Sequence, residues 1–119
     1  MKYIDKIPQI PPSNNKYQGK GSDGLRYIYA ADKKEWADLI AYTCRPKPPY
    51  PLARAKVTLH YYFKDKRRHD PDNYSGKFIL DGLVNAGILV DDSFQVIDLE
   101  LKADIDPNKQ GYTIIEVTV

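Results

Sequence analysis

Residues 53–64 limit the possible folds of this chain more than any other stretch. Ala53, Ala55, Val57, Leu59, Tyr61 and Phe63 alternate with Arg54, Lys56, Thr58, His60, Tyr62 and Lys64. Successive side chains of a strand point to opposite faces, so the run reads as a β-strand with one buried and one wet face. Such a strand needs neighbours to pair with and a layer to cover its apolar side. His60 falls on the polar face and reads as an exposed histidine rather than a metal ligand.

The flanking segments supply both requirements. Residues 2–10 start extended, and Pro8, Pro11 and Pro12 confine them to a sheet edge, because proline cannot donate to a ladder. Residues 25–29 also read as extended. A first helix is expected over 31–44: Asp32 followed by Glu35 resembles a capping box, and Trp36, Leu39, Ile40 and Thr43 recur at helical spacing. Pro46, Pro48, Pro49 and Pro51 end it and form a stiff linker. A second helix is expected over 73–86, capped by Asp72 or Asn73 and closed by Gly87. Phe78, Ile79, Leu83 and Ala86 make its apolar stripe, while Tyr74, Lys77, Asp81 and Asn85 share the opposite face. Gly76 near its start weakens that helix by about 1 kcal/mol relative to alanine. Residues 94–103 and 112–119 read as two strands joined by a turn, an antiparallel hairpin. The expected fold class is α+β: a small mixed sheet of about four strands with two helices packed on it, in the order β-α-β-α-β-β. Residues 1–119 suit one domain with one core.

The single cysteine, Cys44, excludes an intrachain disulfide and fits a reducing compartment. No apolar run approaches the roughly 18 residues that span a bilayer, and residues 1–5 lack the apolar core of a signal peptide. A cytoplasmic protein without a membrane partner is expected. Ten tyrosines against three phenylalanines favour a half-buried sheet or a wet binding surface, since tyrosine joins a flat apolar face to a polar tip. The net charge of +2 says little, but Lys64, Lys66, Arg67 and Arg68 fall within five positions, directly before a group of acids. Such a run is either a solvated loop or a grip on an anionic polymer.

The acids begin at Asp70-Pro71-Asp72-Asn73. Pro71 biases Asp70 towards extended backbone, where residues two apart point the same way, so both carboxylates can face one ion. Asp91 and Asp92 follow the second helix, which travels only about 20 Å and leaves a return possible. Carboxylates with water and substrate phosphate are the usual ligands of Mg²⁺, which would polarise the phosphate, activate a water and stabilise the leaving oxygen. Lys77 would neutralise developing charge. The plainer alternative is that these acids are cap and turn residues. Ser13, Asn14, Asn15, Lys16 and Tyr17, with Gly19, Lys20, Gly21, Ser22 and Gly24 beyond, combine amides, hydroxyls, lysines and glycines suited to phosphate, or form an ordinary surface loop.

Taken jointly, these motifs resemble the RusA family of Holliday junction resolvases. The resemblance lies in Lys66-Arg67-Arg68-His69-Asp70-Pro71-Asp72-Asn73, in Lys77 with Asp81, in Ala86 and Gly87 leading to Asp91 and Asp92, and in residues 11–17. It implies a Mg²⁺-dependent homodimeric endonuclease that places paired symmetric nicks in four-way junction DNA during recombination and repair. By the resemblance, Asp70, Asp72 and Asp92 are catalytic metal ligands, with Asp91 beside them. Lys77 is the catalytic lysine, and Asp81 is a candidate partner for it. Residues 13–17 with Lys66, Arg67 and Arg68 are the DNA contacts. The chain departs from the family form in one place: Lys77 stands five positions after Asp72, where the family has four, as though Gly76 were inserted. Two other functions remain open, a junction-binding module without catalysis and a metal-dependent phosphoesterase of small substrates.

Overall fold

The alternating run lies at the centre of the sheet. The computed structural model describes residues 1–17 and 23–119, arranged as β1 (Lys2–Ile7), α1 (Asp23–Thr43), β2 (Ala55–Phe63), α2 (Lys77–Asn85), β3 (Ile97–Ile105) and β4 (Tyr112–Thr118). Short 3₁₀ turns occur at Asn14–Tyr17 and Pro71–Asn73. The protein is an α+β fold with the expected element order and a four-stranded mixed sheet. The expected loop residues Gly19, Lys20, Gly21 and Ser22 lie outside the described residues, and Gly24 lies within α1.

The strands are ordered β1-β4-β2-β3, with β2 parallel to β3 and antiparallel to β4. The expected hairpin is therefore absent: β3 and β4 are consecutive but lie on opposite sides of β2. Asp106 explains the crossing. Its N–H donates to the Phe63 carbonyl at 2.7 Å, at the end of β2. Its carboxylate accepts the N–H groups of Asn108, Gln110 and Gly111 at 2.9, 3.1 and 3.0 Å. The chain is thus turned across the end of β2 before β4 begins. β1 is an edge strand that ends before Pro8, as its prolines require.

Both helices depart from their expected starts. α1 begins at Asp23, so residues 25–29 are helical rather than extended and Asp32 sits inside the helix rather than at its cap. Tyr29 extends the stripe of Trp36 and Ile40 by two turns, and it packs edge-on against Phe78 with ring centroids 5.2 Å apart. α2 begins at Lys77, four residues later than expected. Residues 71–73 form a separate 3₁₀ turn, and Gly76 caps α2 in the left-handed conformation at φ 83°. The C-terminal end is as expected: Gly87, at φ 77°, donates to Val84 O and Ile88 donates to Leu83 O, which closes the helix.

The core lies between the helices and one face of the sheet, where Ile7, Trp36, Ile40, Val57, Leu59, Ile79, Leu83 and Ile115 are buried. Burial of each such side chain contributes roughly 1.5–3 kcal/mol. At Gly82 the helices approach so closely that an added Cβ would lie 2.9 Å from Ile40 Cγ1. On the opposite sheet face Lys6 lies over Tyr112, Tyr112 stacks on Tyr62, and Tyr62 stacks on His60. His60 is half-buried there, and its Nε2 lies 2.7 Å from Asp104 Oδ2. Among the described residues no helix is long and apolar enough to cross a membrane.

Candidate active site

The acidic segment enters from the end of β2. His69 stacks flat on Phe63, with ring centroids 3.7 Å apart, and this fixes the chain just before the first acid. Asp70 is extended, at φ −98° and ψ 140°, as Pro71 favours. The chain then turns at Pro71–Asn73, so the backbone of Asp70 to Asp72 does not continue as one extended run. This corrects the expectation drawn from their spacing. Asp70 Oδ1 accepts from Arg68 Nε at 3.0 Å, while Asp72 is exposed. The Asp70 hydrogen bond, and then its charge, raise the Arg68 pKa above its ordinary value, with a smaller contribution from Asp72.

Asn14 clips the amino-terminal segment to this turn. Its Nδ2 donates to the Asp72 carbonyl at 2.8 Å and reaches Ser75 Oγ at 3.3 Å. Gly76 follows, against Leu59: a Cβ there would overlap Leu59 Cδ1 and lie 3.3 Å from the Tyr61 hydroxyl. That hydroxyl is buried with no hydrogen-bond partner among the described residues, and burial pushes its pKa up. The positive φ and the absent side chain explain why glycine occupies this position. Gly76 caps the helix here, and Lys77 becomes the first residue of α2.

Lys77 opens onto a cleft of about 740 Å³, which Ser75, Arg54, Asp92, Phe94 and Asp98 also border. Asp92 therefore does return to the start of α2. The route is anchored on both sides: Val90 donates to Leu52 O at 3.0 Å, and Val96 donates to Ser93 O at 3.0 Å. Between these anchors Asp91 and Asp92 are exposed. Asp70 borders a different and smaller hollow of about 70 Å³, with Tyr61, His69, Leu101 and Lys102. Among the described residues Asp72, Asp91, Asp92 and Lys77 make no ion pair.

The donor chemistry suits a hard cation, since unpaired carboxylates supply the oxygen ligands that Mg²⁺ takes. Their placement does not make a closed shell: among the described residues no three Asp, Glu, His or Cys side chains gather as a metal-holding group. Asp81 does not pair with Lys77 either. Its carboxylate lies 3.8 Å from Lys33 Nζ of α1 and helps tie the two helices together.

The expected DNA contacts divide into free and engaged groups. Lys16 Nζ and the Tyr17 hydroxyl both donate to Asp32 Oδ2, at 2.8 and 2.6 Å. These bonds, that from Lys16 first, hold the Asp32 carboxyl below its usual range. Burial, and then the Asp32 bond, push the Tyr17 phenol up. Both residues thus fasten the segment to α1, with Tyr17 packed on Tyr29 and Phe78. Ser13 Oγ accepts from Asn15 N–H, and Asn15 is exposed. Arg67 pairs with Asp65 at 3.0 Å, and Lys66 is exposed.

Arg54, Ser75 and Asp98 border the cleft without having been singled out by the sequence. Ser75 was legible as a hydroxyl two positions before Lys77. Arg54 and Asp98 needed the strand register, which sets Ala55 beside Ile97 and brings the leads of β2 and β3 together. Comparison with known protein families and with curated proteins found no match to this chain.

Proposed function

We propose that this protein is a Mg²⁺-dependent endodeoxyribonuclease that resolves four-way DNA junctions by paired symmetric nicks, acting as a homodimer in the cytoplasm. The observation that carries the reading is the shared cleft of Lys77 and Asp92, beside a turn whose Asp72 backbone is joined to Ser75 through Asn14. An unpaired ammonium next to unpaired carboxylates on an open surface suits an anionic substrate better than it suits folding, where such groups would be paired. Lys77 would stabilise charge that develops on a phosphate in the cleft. Exposed Lys66, with Arg67 and Arg68, would hold the polymer backbone beside it. Asp72 and Asp92, with Asp70 and Asp91, would hold the ion, which supplies Lewis acidity and an activated water when bound.

The separation of the acids favours a second reading, a junction-binding module without catalysis. Incubation of labelled four-way junction and matching duplex across a Mg²⁺ series, with wild type and Asp72→Asn, decides between them. Paired, Mg²⁺-dependent nicks that are lost in Asp72→Asn are expected. Junction binding without product at any Mg²⁺ concentration would establish the second reading, and equal cutting of duplex and junction would reject junction selectivity.

A further inference from the structure

The cleft that Lys77 and Asp92 share has a lining that phosphodiester chemistry does not use. Arg54 and Ser75 add to its polar groups, but Leu80, Phe94, Ile97 and Leu99 border it as well. At about 740 Å³ it is far larger than a metal ion and a phosphate require. It falls within the roughly 300–1,000 Å³ of pockets that take ligands with ring systems.

Phe94 is the unusual member of this lining. It is 100% exposed, whereas the other two phenylalanines, Phe63 and Phe78, are buried. Its backbone is nonetheless held in place. The N–H groups of Val96 and Ile97 both donate to Ser93 O at 3.0 Å, and Arg54 Nη1 donates to Gln95 O at 2.9 Å. A fixed turn thus presents a free ring two residues after Asp92. Single exposed apolar side chains are ordinary on a protein surface. This one shares its cleft with three aliphatic side chains, of which Leu99 stays 37% exposed on the outermost strand of the sheet.

The two kinds of lining match the two parts of a nucleotide. Lys77 and Arg54 suit the phosphate: among the described residues neither makes an ion pair, and Arg54 keeps guanidinium donors beyond the one that Gln95 accepts. Phe94 and the aliphatic groups suit the apolar face of a base. In a duplex each base face is covered by its neighbours, so only an unstacked base can offer one to a side chain. An apolar protein partner fits less well, because it would bury Lys77, Arg54 and Asp92 along with the ring.

We infer that the cleft contains a nucleobase subsite, in which one base of the substrate strand leaves its stack and lies against Phe94 while the adjoining phosphate meets Lys77 and Arg54. The inference rests on the nuclease reading for the identity of the strand. Every base has such a face, so this contact selects an unstacked nucleotide rather than a particular base.

The test reads binding without added Mg²⁺, so that no strand is cut. Four-way junctions each carry one 2-aminopurine, moved position by position across the crossover, and are titrated with wild type, Phe94→Ala and Phe94→Trp. Wild type should raise the fluorescence at one position, where the base leaves its stack. Phe94→Ala should lose that signal and bind the junction about tenfold more weakly, and Phe94→Trp should keep the affinity. With an abasic nucleotide at the same position, wild type and Phe94→Ala should bind alike. Circular dichroism should show both variants folded, since the ring is in solvent. Equal affinity of wild type and Phe94→Ala, no position whose fluorescence depends on Phe94, or a loss that persists at the abasic nucleotide overturns the subsite. Paired nicks by the wild type in Mg²⁺ alongside such a result would sink the subsite and leave the nuclease reading standing. A Phe94-dependent signal without nicks at any Mg²⁺ concentration would establish the subsite and reject the nuclease reading.

Discussion

Asp70 and Asp72 sit on a turn tied down by Arg68, by the Asn14 side chain and by the stacking of His69 on Phe63. Asp91 and Asp92 lie on a return loop anchored only before and after them, and both stand exposed without an ion pair among the described residues. The first pair has its backbone built into the fold, although the Asp72 carboxylate is exposed, and the second pair is presented to solvent. Side-chain bonds and packing fix the turn, whereas the loop is positioned by backbone alone and its carboxylates are left without partners. Asp92 shares the cleft of Lys77, while Asp70 is held on the other side by a guanidinium. Any cation that draws the four acids together must compete with Arg68 for Asp70.

The strongest test of this contrast is chemical. On the proposed nuclease reading, Lys77→Met, which removes a group that stabilises developing charge, and Asp92→Asn, which removes an ion ligand, should each lower junction cleavage by about a hundredfold or more. Both positions are exposed and unpaired, so folding stability should change by less than about 0.5 kcal/mol in urea titrations. A large stability loss would mean that the return loop is as structural as the turn.

Gly76→Ala attacks the built-in side. A left-handed φ costs a side chain about 1–2 kcal/mol, and overlap with Leu59 adds to it. Urea denaturation should show a loss of about 2 kcal/mol or more, with the start of α2 and Lys77 displaced. A neutral result would show that neither the left-handed backbone nor the contact with Leu59 requires glycine at position 76.

Acid separates carboxylates engaged by donors from those in solvent. Asp32 is held below its ordinary value by Lys16 and Tyr17, and Asp106 by the N–H groups of Asn108, Gly111 and Gln110. Their folded-state values lie below the unfolded value near 3.8, so they stabilise the fold above that pH. That stability is lost as pH falls from about 4 through the lower folded values. Urea midpoints measured from pH 7 downward should drop in that window, and Asp32→Asn or Asp106→Asn should flatten the drop.

Arg68 should also matter little to folding. Its pair with Asp70 is solvent-exposed, so Arg68→Ala should leave the urea midpoint almost unchanged. Junction affinity should fall and its salt dependence become shallower, by about one unit of slope if Arg68 contacts a phosphate.

Local patterns were readable because they repeat with the period of the element that they build. The alternation at 53–64 determined β2, the spacing of Trp36 and Ile40 determined the buried face of α1, and Gly87 determined the end of α2. The acids and Lys77 were visible as chemistry, and Gly76 as a weak point near the start of α2. Tertiary structure decided what depends on partners distant in sequence. Asp106 reaches Phe63 and carries β4 across the end of β2, so a spacing that suits a hairpin becomes a crossover. Tyr29 finds Tyr17 and Phe78, so a segment that looks extended becomes helix. Contact with Leu59 leaves Gly76 without room for a side chain, so α2 starts at Lys77, on the cleft that Asp92 also borders. A residue's period is set by its own backbone, but its partner is set by which edges and faces the rest of the fold leaves open.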